Sequence, residues 1–582
     1  MTKKLICLLL ALCTLFSFGG CGLFSSEQSP AEKIESRYDI VQNGPLRDKD
    51  LVYSSDNPTE IVSMYLTVST GNSGENTNHT WEEVNSYSAY DYDEMGVDRY
   101  KVAGLLQVGN ENGPLPEELG YGQVSPNCTV QIRGQSSSRN AQKNYKIKLK
   151  DNKGEWRGQT TIALNKHQGD GLRFRNKLAY DLIKGIDQLM GLRTTFVRLY
   201  VKDTTASGDG QFHDYGIYTQ VEQLNKTALE AHGLDRNGHL YKINYCEFYR
   251  YEDVIKLKTD PTYNQKAFEE ILEIKGDDDH QKLIDLLTKI NDFTIPIETV
   301  IEENFDMENL TYWMAFHLLM GNIDTQSRNF YLYSPLNSNT WYILTWDCDG
   351  SLKRSEYEVL GRTDQSGWEK GVSNYWGNVL FQRCLKSSQF RQALDTAVED
   401  IKAYLTPELI SSTTQSYASI IKPYIYAGPD ATYAPLTSEE YDYVVSCIPK
   451  DIENNYIFYK ESFNFPMPFF IATPKKTDAG ISVMWDAAFD FDSETVTYSA
   501  ELATDCYFNE IVASYTGLDL PTITFPPLAP GQYFVRVIAT NKSGYSQPAF
   551  DSYLTETGKV YGTKCFYVNQ DGSLVEEYYV ET

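Results

Sequence analysis

Asp324 stands five residues before Asn329, and Asp347 and Asp349 follow an apolar run from Trp341 to Trp346, in the stretch GNIDTQSRNFYLYSPLNSNTWYILTWDCDG from Gly321 to Gly350. Carboxylates and an amide offer only hard oxygen donors, the set that holds Mg²⁺ while leaving most of its coordination to phosphates and water. A carboxylate close to such a cation is placed to accept the proton of an attacking hydroxyl. The stretch reads as the acidic centre of a phosphoryl-transfer site; Asp and Asn in turns, and an Asp after a strand, are also ordinary loop chemistry, since their side chains bond nearby backbone.

The D-x4-N spacing is that of the protein-kinase catalytic loop, where the Asp takes the substrate hydroxyl proton and the Asn holds a metal ion. Elements must bring the parts together. Asn329 to Tyr333 and Trp341 to Trp346 are aromatic, β-rich runs separated by the turn cluster Ser334-Pro335-Leu336-Asn337-Ser338-Asn339, so they predict an antiparallel hairpin. With the turn near Asn337 or Ser338, Asn329 lies within about a residue of Trp346 and Asp347, at Cβ separations of about 5 Å. Upstream, Asp306 caps a predicted helix from Met307 to about Leu319, with Leu310, Trp313, Met314 and Leu318 at helical spacing.

A second group lies in RGQSSSRNAQKNYKIKLKD. Thr129 to Arg133 reads as a strand entering the turn Gly134 to Ser138, and Asn144 to Lys150 as the next strand, with Lys146 and Lys148 on one face. A strand lysine opposite a Gly/Ser turn is how kinases set a cation on phosphates covered by backbone N–H groups. A solvent-facing strand has the same alternation.

The chain of 582 residues has length for two or three domains, and its 41% hydrophobic content with 43 Tyr describes a globular protein. A formal charge of −27 excludes the basic footprint of a nucleic-acid binder and implies an acidic, soluble surface. Lys3 and Lys4 precede an apolar run from Leu5 to Phe18, then Gly19-Gly20-Cys21 and a polar stretch. This reads as a signal peptide over 1–21 with Cys21 as a lipid-modified anchor, although Phe18 replaces the usual aliphatic residue. A tether over 22–59 would follow, outside the cytoplasmic membrane. The remaining seven Cys lack C-x2-C spacing and predict buried thiols, with Cys348 pointing into the core.

Further strands are predicted at Ile61 to Val68, Thr195 to Val201 and Tyr215 to Val221, and helices at Arg175 to Lys184, Gln265 to Ile274 and His280 to Ile290. Asn85 to Tyr100 reads as surface loops, His232 and His239 as turn residues, and Asn374 to about Phe465 as mainly helical. From Pro466, short strands at Ile481 to Trp485, Thr495 to Leu502, Ile523 to Pro527 and Gln532 to Ala539 predict a small all-β sandwich over 466–582, with Asp490-Phe491-Asp492 in a loop. LAPGQYFVRVIATNKSG resembles the penultimate strand of a fibronectin type III domain, with Tyr533 at the tyrosine corner and Trp485 in the core.

RGQSSS, KNYKIKL, RNKLAYDL, FVRLYVKD, DYGIYTQVEQ, HLYK, GNIDTQSRNFYLY and WDCDG, in that order, resemble the spore coat protein H (CotH) kinase family across about 60–465. The resemblance implies an α+β, atypical two-lobed kinase-like domain that uses ATP with Mg²⁺ or Mn²⁺ to phosphorylate protein Ser or Thr. By it, Asp324 is the catalytic base, Asn329 and Asp347 bind metal, and Asp349 is a further ligand. Lys148 is the first choice for the phosphate lysine and Lys146 the second. Arg133 and Ser136 lie by the phosphates, and Glu222 meets the adenine side. The helix at Arg175 lacks the Glu that pairs such a lysine in ordinary kinases. The implied partners are a Ser/Thr protein substrate, the membrane through the anchor, and a surface protein or glycan for the C-terminal sandwich. The alternative is an inactive kinase fold serving adhesion or envelope and spore-coat assembly.

Overall fold

The computed structural model describes residues 45–362, 367–556 and 558–576. The signal segment and Cys21 lie outside them. Seven strands form a closed sheet: β1 (Ile61–Ser69), β2 (Val102–Asn110), β3 (Cys128–Arg133), β4 (Asn144–Leu149), β5 (Thr161–Asn165), β6 (Thr194–Asp203) and β7 (Phe212–Glu222). Their order is β1-β6-β7-β5-β4-β3-β2, and β2 returns to pair with β1. Only β1 and β6 run parallel. Closure leaves no long open edge. Strict alternation sends Met64, Leu66, Leu106, Val130, Ile132, Ile147, Ile162, Leu164, Val197 and Leu199 to one core, all fully buried. The opposite parity sends Arg133, Lys146 and Val221 to the outer face, where Gln131, Lys146, Ala163 and Val221 are cross-strand neighbours.

The segment expected as loops from Asn85 to Tyr100 instead begins in one helix, Trp81–Ser86, and contains a second, Ala89–Met95. Each starts on a capping box, Thr80 with Glu83 and Ser88 with Asp91, and these buried Trp81, Val84 and Tyr92 close one end of the barrel core. Tyr and Asp richness suggested a surface; the two caps were the better signal.

A second, larger core joins the helices to a four-stranded sheet of β8 (His239–Ile243), β9 (Leu272–Ile274), β10 (Phe330–Ser334) and β11 (Tyr342–Thr345), in the order β9-β8-β10-β11. The expected helix from Gln265 to Ile274 stops at Ile271, and Leu272–Ile274 joins β8 as an edge strand, Leu272 opposite Ile243. Asp306 caps the helix Met307–Leu319, accepting from the Glu308 and Asn309 N–H groups. Asn309 then clamps β11, accepting from Ile343 N–H at 2.7 Å and donating to its carbonyl at 3.2 Å. The hairpin is thereby fixed to the helix that precedes the Asp324 loop.

After the helix Ser438–Ser462 the chain is all β. The strands Lys475–Thr477, Gly480–Met484 and Thr522–Phe525 form one antiparallel sheet, Val496–Ala503, Ile511–Leu518, Gly531–Asn541, Ser546–Pro548, Thr563–Val568 and Leu574–Val575 form a second, and Ser552–Thr555 pairs with Gly558–Tyr561. Ile481, Val483 and Trp485 from the first share a core with Tyr498, Leu502, Val535, Val537 and Phe566 from the second. Tyr533 donates its hydroxyl to the Ala529 carbonyl at 3.0 Å.

Glu222 ends β7 inside a buried ion cluster. It pairs with Arg193 and, at 3.0 Å, with His232, whose other nitrogen meets Asp48 at 2.6 Å. His232 sits in the turn that ends the helix Lys226–Ala231, as expected, and is also a buried charge hub. Burial lowers its basicity, but the Glu222 charge and the bonds to Asp48 and Glu222 outweigh that and raise it to about 9. A value above the unfolded one of ~6.5 means that this stabilisation is complete below ~6.5 and is lost as pH rises toward 9. The prediction is that the urea midpoint falls between pH 6.5 and 9, and that His232→Gln lowers the midpoint at pH 6 while flattening that fall; an unchanged slope in the variant contradicts the assignment.

Candidate active site

A cavity of about 280 Å³ opens between the outer face of the barrel and the turn after β11, with Arg133, Gly134, Ser136, His167, Asp347 and Asp349 in its wall. The barrel side is set by Gly134. Its φ of 89° and an added Cβ only 2.1 Å from Ser137 Oγ leave room for glycine alone. This sharp exit from β3 starts the 3-10 turn Ser136–Arg139 at the rim. Arg133 is hydrogen-bonded to Asn165 Oδ1 and lies 5.9 Å over the Trp346 ring. Burial lowers its basicity, and Asp347 acts against that.

The opposite wall is the turn Asp347–Gly350. The β10–β11 register pairs Phe330 with Thr345, so Asn329 extends the ladder opposite Trp346, with Asp347 one step on. Asn329 (φ 62°) and Asp347 (φ 55°) both occupy the left-handed region where the ladder ends. Asn and Asp tolerate it better than other non-glycine residues. The helix Arg175–Ile183 fixes this turn with two side chains one turn apart: Tyr180 Oη accepts from Asp347 N–H at 3.1 Å, and Asn176 Oδ1 accepts from Cys348 N–H at 3.1 Å. Cys348 points into the core, and burial raises its thiol.

The two carboxylates separate electrostatically. Burial first and then Asp349 push Asp347 up to about 6, against the lowering effect of His167, Arg133 and Lys242. For Asp349, burial raises the value but the His167 hydrogen bond at 3.1 Å and its charge outweigh it, leaving the group below its ordinary range. Asp324 sits in the 3-10 turn Ile323–Thr325, half-exposed, with Arg328 at 3.2 Å. It does not line the cavity wall; its Oδ2 would stand 3.4 Å from a Cβ added at Gly350, the residue after the wall residue Asp349. Enclosure raises its carboxyl, Arg328 opposes, and Asp349 and Glu369 raise it again.

Two expected residues fall elsewhere. Glu222 faces away from the cavity, which Val221 lines, and is held at about 2 because His232 and Arg193 outweigh the burial that raises it. Alternation along β7 puts neighbours on opposite faces, so it has no free carboxylate for an adenine. Lys148 is exposed, and neither it nor Lys146 nor Lys242 lines the cavity wall, so burial and the charges they feel distinguish them. Lys146, one pair nearer Arg133 along β4, is lowered by burial and lies in the fields of Lys275, Glu273 and Arg133. Lys242 on β8 is also lowered by burial and feels Glu273, Asp347 and Arg133. Arg133 and Lys242 thus act on Asp347, while Lys146 lies in the field of Arg133. Sequence reasoning missed Lys242, His167, Asn176 and Tyr180; of these only the i, i+4 spacing of Asn176 and Tyr180 carried a signal.

Among the described residues no three His, Cys, Asp or Glu side chains gather as a metal cage. The donor set that is present, Asp347 and Asp349 with the Asn329 amide at the same end of the hairpin, fits a hard cation shared with phosphates, which needs only one or two carboxylates. When bound, such a cation neutralises phosphate charge. Arg175, fully buried, fixes the loop before the helix by pairing with Asp170 and, at 2.5 Å, with Glu356 from the helix that follows the turn. Removing one partner of a buried pair strands the others, so Arg175→Met is predicted to cost about 3–5 kcal/mol in denaturant unfolding; a cost near zero contradicts this role.

The residue model described as CotH kinase protein matches residues 130–458, more than half of the chain. The chain belongs to the CotH kinase protein family. The match runs from β3 into the last long helix. It includes both walls of the cavity and the Asp324 loop, and leaves β1, β2 and the C-terminal sheets outside. A similar curated protein is the inner spore coat protein H of Bacillus subtilis (strain 168), 21% identical over 360 residues, which are 60% of this chain and 91% of that protein. Among solved structures, the HipA, HipB and operator DNA complex of Shewanella oneidensis MR-1 aligns with 64% of this chain and 79% of its own at 11% identity, with a TM-score of 0.24.

Proposed function

We propose that this chain is an ATP-dependent protein Ser/Thr kinase of the CotH type, acting with Mg²⁺ or Mn²⁺ and anchored through Cys21 at the outer face of the membrane. The observation that carries the reading is one cavity with a glycine-turned loop and Arg133 on one wall, Asp347 and Asp349 on the other, and Asp324 alongside. In this reading Arg133, Lys242 and Lys146 receive the phosphates, Asp347, Asn329 and Asp349 hold the cation, and Asp324 takes the proton of the substrate hydroxyl. The half-exposed Asp324 is open to a protein substrate, and its raised carboxyl makes it the more basic acceptor. The C-terminal sheets, read as a fibronectin type III-like sandwich, are the surface for a partner protein or glycan.

The test is phosphate transfer from labelled ATP to protein Ser or Thr with Mg²⁺ or Mn²⁺. Asp324→Asn is expected to lower transfer by at least ~100-fold, the usual scale for a general base, and Asp347→Asn to lower it by weakening the hold on the cation; equal labelling in wild type and both variants defeats the reading. The lysines are separable by binding. Lys146→Met and Lys242→Met are expected to weaken binding of a non-hydrolysable ATP analogue by roughly tenfold each, about 1.4 kcal/mol, while Lys148→Met leaves it unchanged in calorimetry. Loss in Lys148→Met alone would restore the exposed lysine to the site.

A further inference from the structure

His167 follows β5 and is buried against the acidic turn, with φ in the left-handed region at 49°. Three hydrogen bonds fix which of its nitrogens carries the proton. The Cys348 backbone N–H can only donate, so the Asn176 atom that receives it at 3.1 Å is the amide oxygen. The Asn176 NH₂ group is therefore the end that faces His167 Nε2, at 3.3 Å. An NH₂ group has nothing to accept with, so Nε2 is the acceptor and the proton sits on Nδ1. Nδ1–H then donates to Asp349 Oδ2 at 3.1 Å. The bonds form a closed ring, because the chain that starts at Cys348 N–H returns to the next residue, Asp349.

We infer that His167 is a positioning residue for the metal site, and that the Cys348–Asn176–His167–Asp349 ring orients the Asp349 carboxylate through a single imidazole tautomer. With Oδ2 held by His167, Oδ1 is the oxygen left to meet a cation shared with phosphate. The barrel supplies His167, the helix Arg175–Ile183 supplies Asn176, and the turn after β11 supplies Cys348 and Asp349, so the ring ties three elements together at the cavity. Outer partners of this kind typically change metal affinity by about 10–100-fold when removed. The inference rests on the kinase reading only in taking Asp349 to face a cation.

The experiment is titration of the full chain with Mn²⁺, free ion read by electron paramagnetic resonance, with and without a non-hydrolysable ATP analogue. The amide nitrogen of Asn reaches the place of Nδ1 and that of Gln the place of Nε2. His167→Asn is therefore expected to bind Mn²⁺ like the wild type, and His167→Gln about 10–100-fold more weakly. Asn176→Asp keeps the acceptor for Cys348 and sets a carboxylate against Nε2, so that nitrogen can be protonated as well while Nδ1–H stays on Asp349, and this variant is not expected to weaken Mn²⁺ binding. Thermal melts of all three variants separate loss of fold from loss of the ring. Equal Mn²⁺ affinity in the four proteins overturns the positioning role and leaves the metal site standing. Equal loss in His167→Asn and His167→Gln overturns the tautomer. No Mn²⁺ binding by the wild type overturns the metal reading, and the role of His167 falls with it.

Discussion

Two carboxylates one residue apart, Asp347 and Asp349, are held in a cleft where water screens them poorly, and this repulsion organises much of what surrounds them. Burial is the larger cause of the upward shift of Asp347, and the charge of Asp349 adds to it. The surroundings offset it from different elements: Arg133 from the barrel, Lys242 from the four-stranded sheet, and His167 from the loop after β5. Backbone restraint matters equally. Asn176 and Tyr180 seize consecutive N–H groups of the turn, so the carboxylates are presented without freedom to splay apart. An acidic pair that repels itself at rest has most to gain from a cation.

The barrel and the helical part meet through buried charges that pair across the junction. Arg175 lies between Asp170 and Glu356, and Lys353 joins Glu356 at 3.2 Å. Lys166 pairs with Asp430 at 2.6 Å, both side chains essentially fully buried, and burial draws the lysine down to about 8 against the pull of Asp430. Buried pairs of this kind add little net stability over apolar packing, yet breaking one is expensive. Their effect is to fix one relative placement of the two parts, which a cavity with walls on both sides requires.

The hairpin that carries the acidic residues was legible because its signals were local. A hairpin register follows from turn residues and alternation, and it carried Asn329 and Asp347 to the same end of one ladder. The Asp306 cap was equally plain. What could not be read depends on contacts between distant segments. Lys148 and Lys146 share one strand face, and only the position of Arg133 and the four-stranded sheet distinguishes them. Glu222 looked available because β7 ends there; its partners Arg193 and His232, and the Asp48 that holds the far side of His232, come from three separate segments. The helices at Trp81 and Ala89 are a different failure, since their capping boxes were present in the sequence and polar composition was weighed above them.

The C-terminal sheets are not an isolated appendage. The segment from Glu369 to Asn378 lies between them and the Asp324 loop, and its side chains face both ways. Toward the loop, Asn374 donates to the Ile323 carbonyl at 3.0 Å, Tyr375 meets Thr325 at 2.8 Å, and Asn378 donates to the Gln326 carbonyl at 2.8 Å. Toward the sheets, Glu369 pairs with Lys559 at 2.7 Å and with the Tyr561 hydroxyl at 2.5 Å, Ser373 accepts from Gln547 at 3.0 Å, and Trp376 packs on Phe489. Glu369 and Lys559 also act with opposite sign on Asp324. The residues that hold the Asp324 loop are therefore held in turn by strands far down the chain, so the electrostatics of the catalytic candidate are set partly by a region outside the matched family segment.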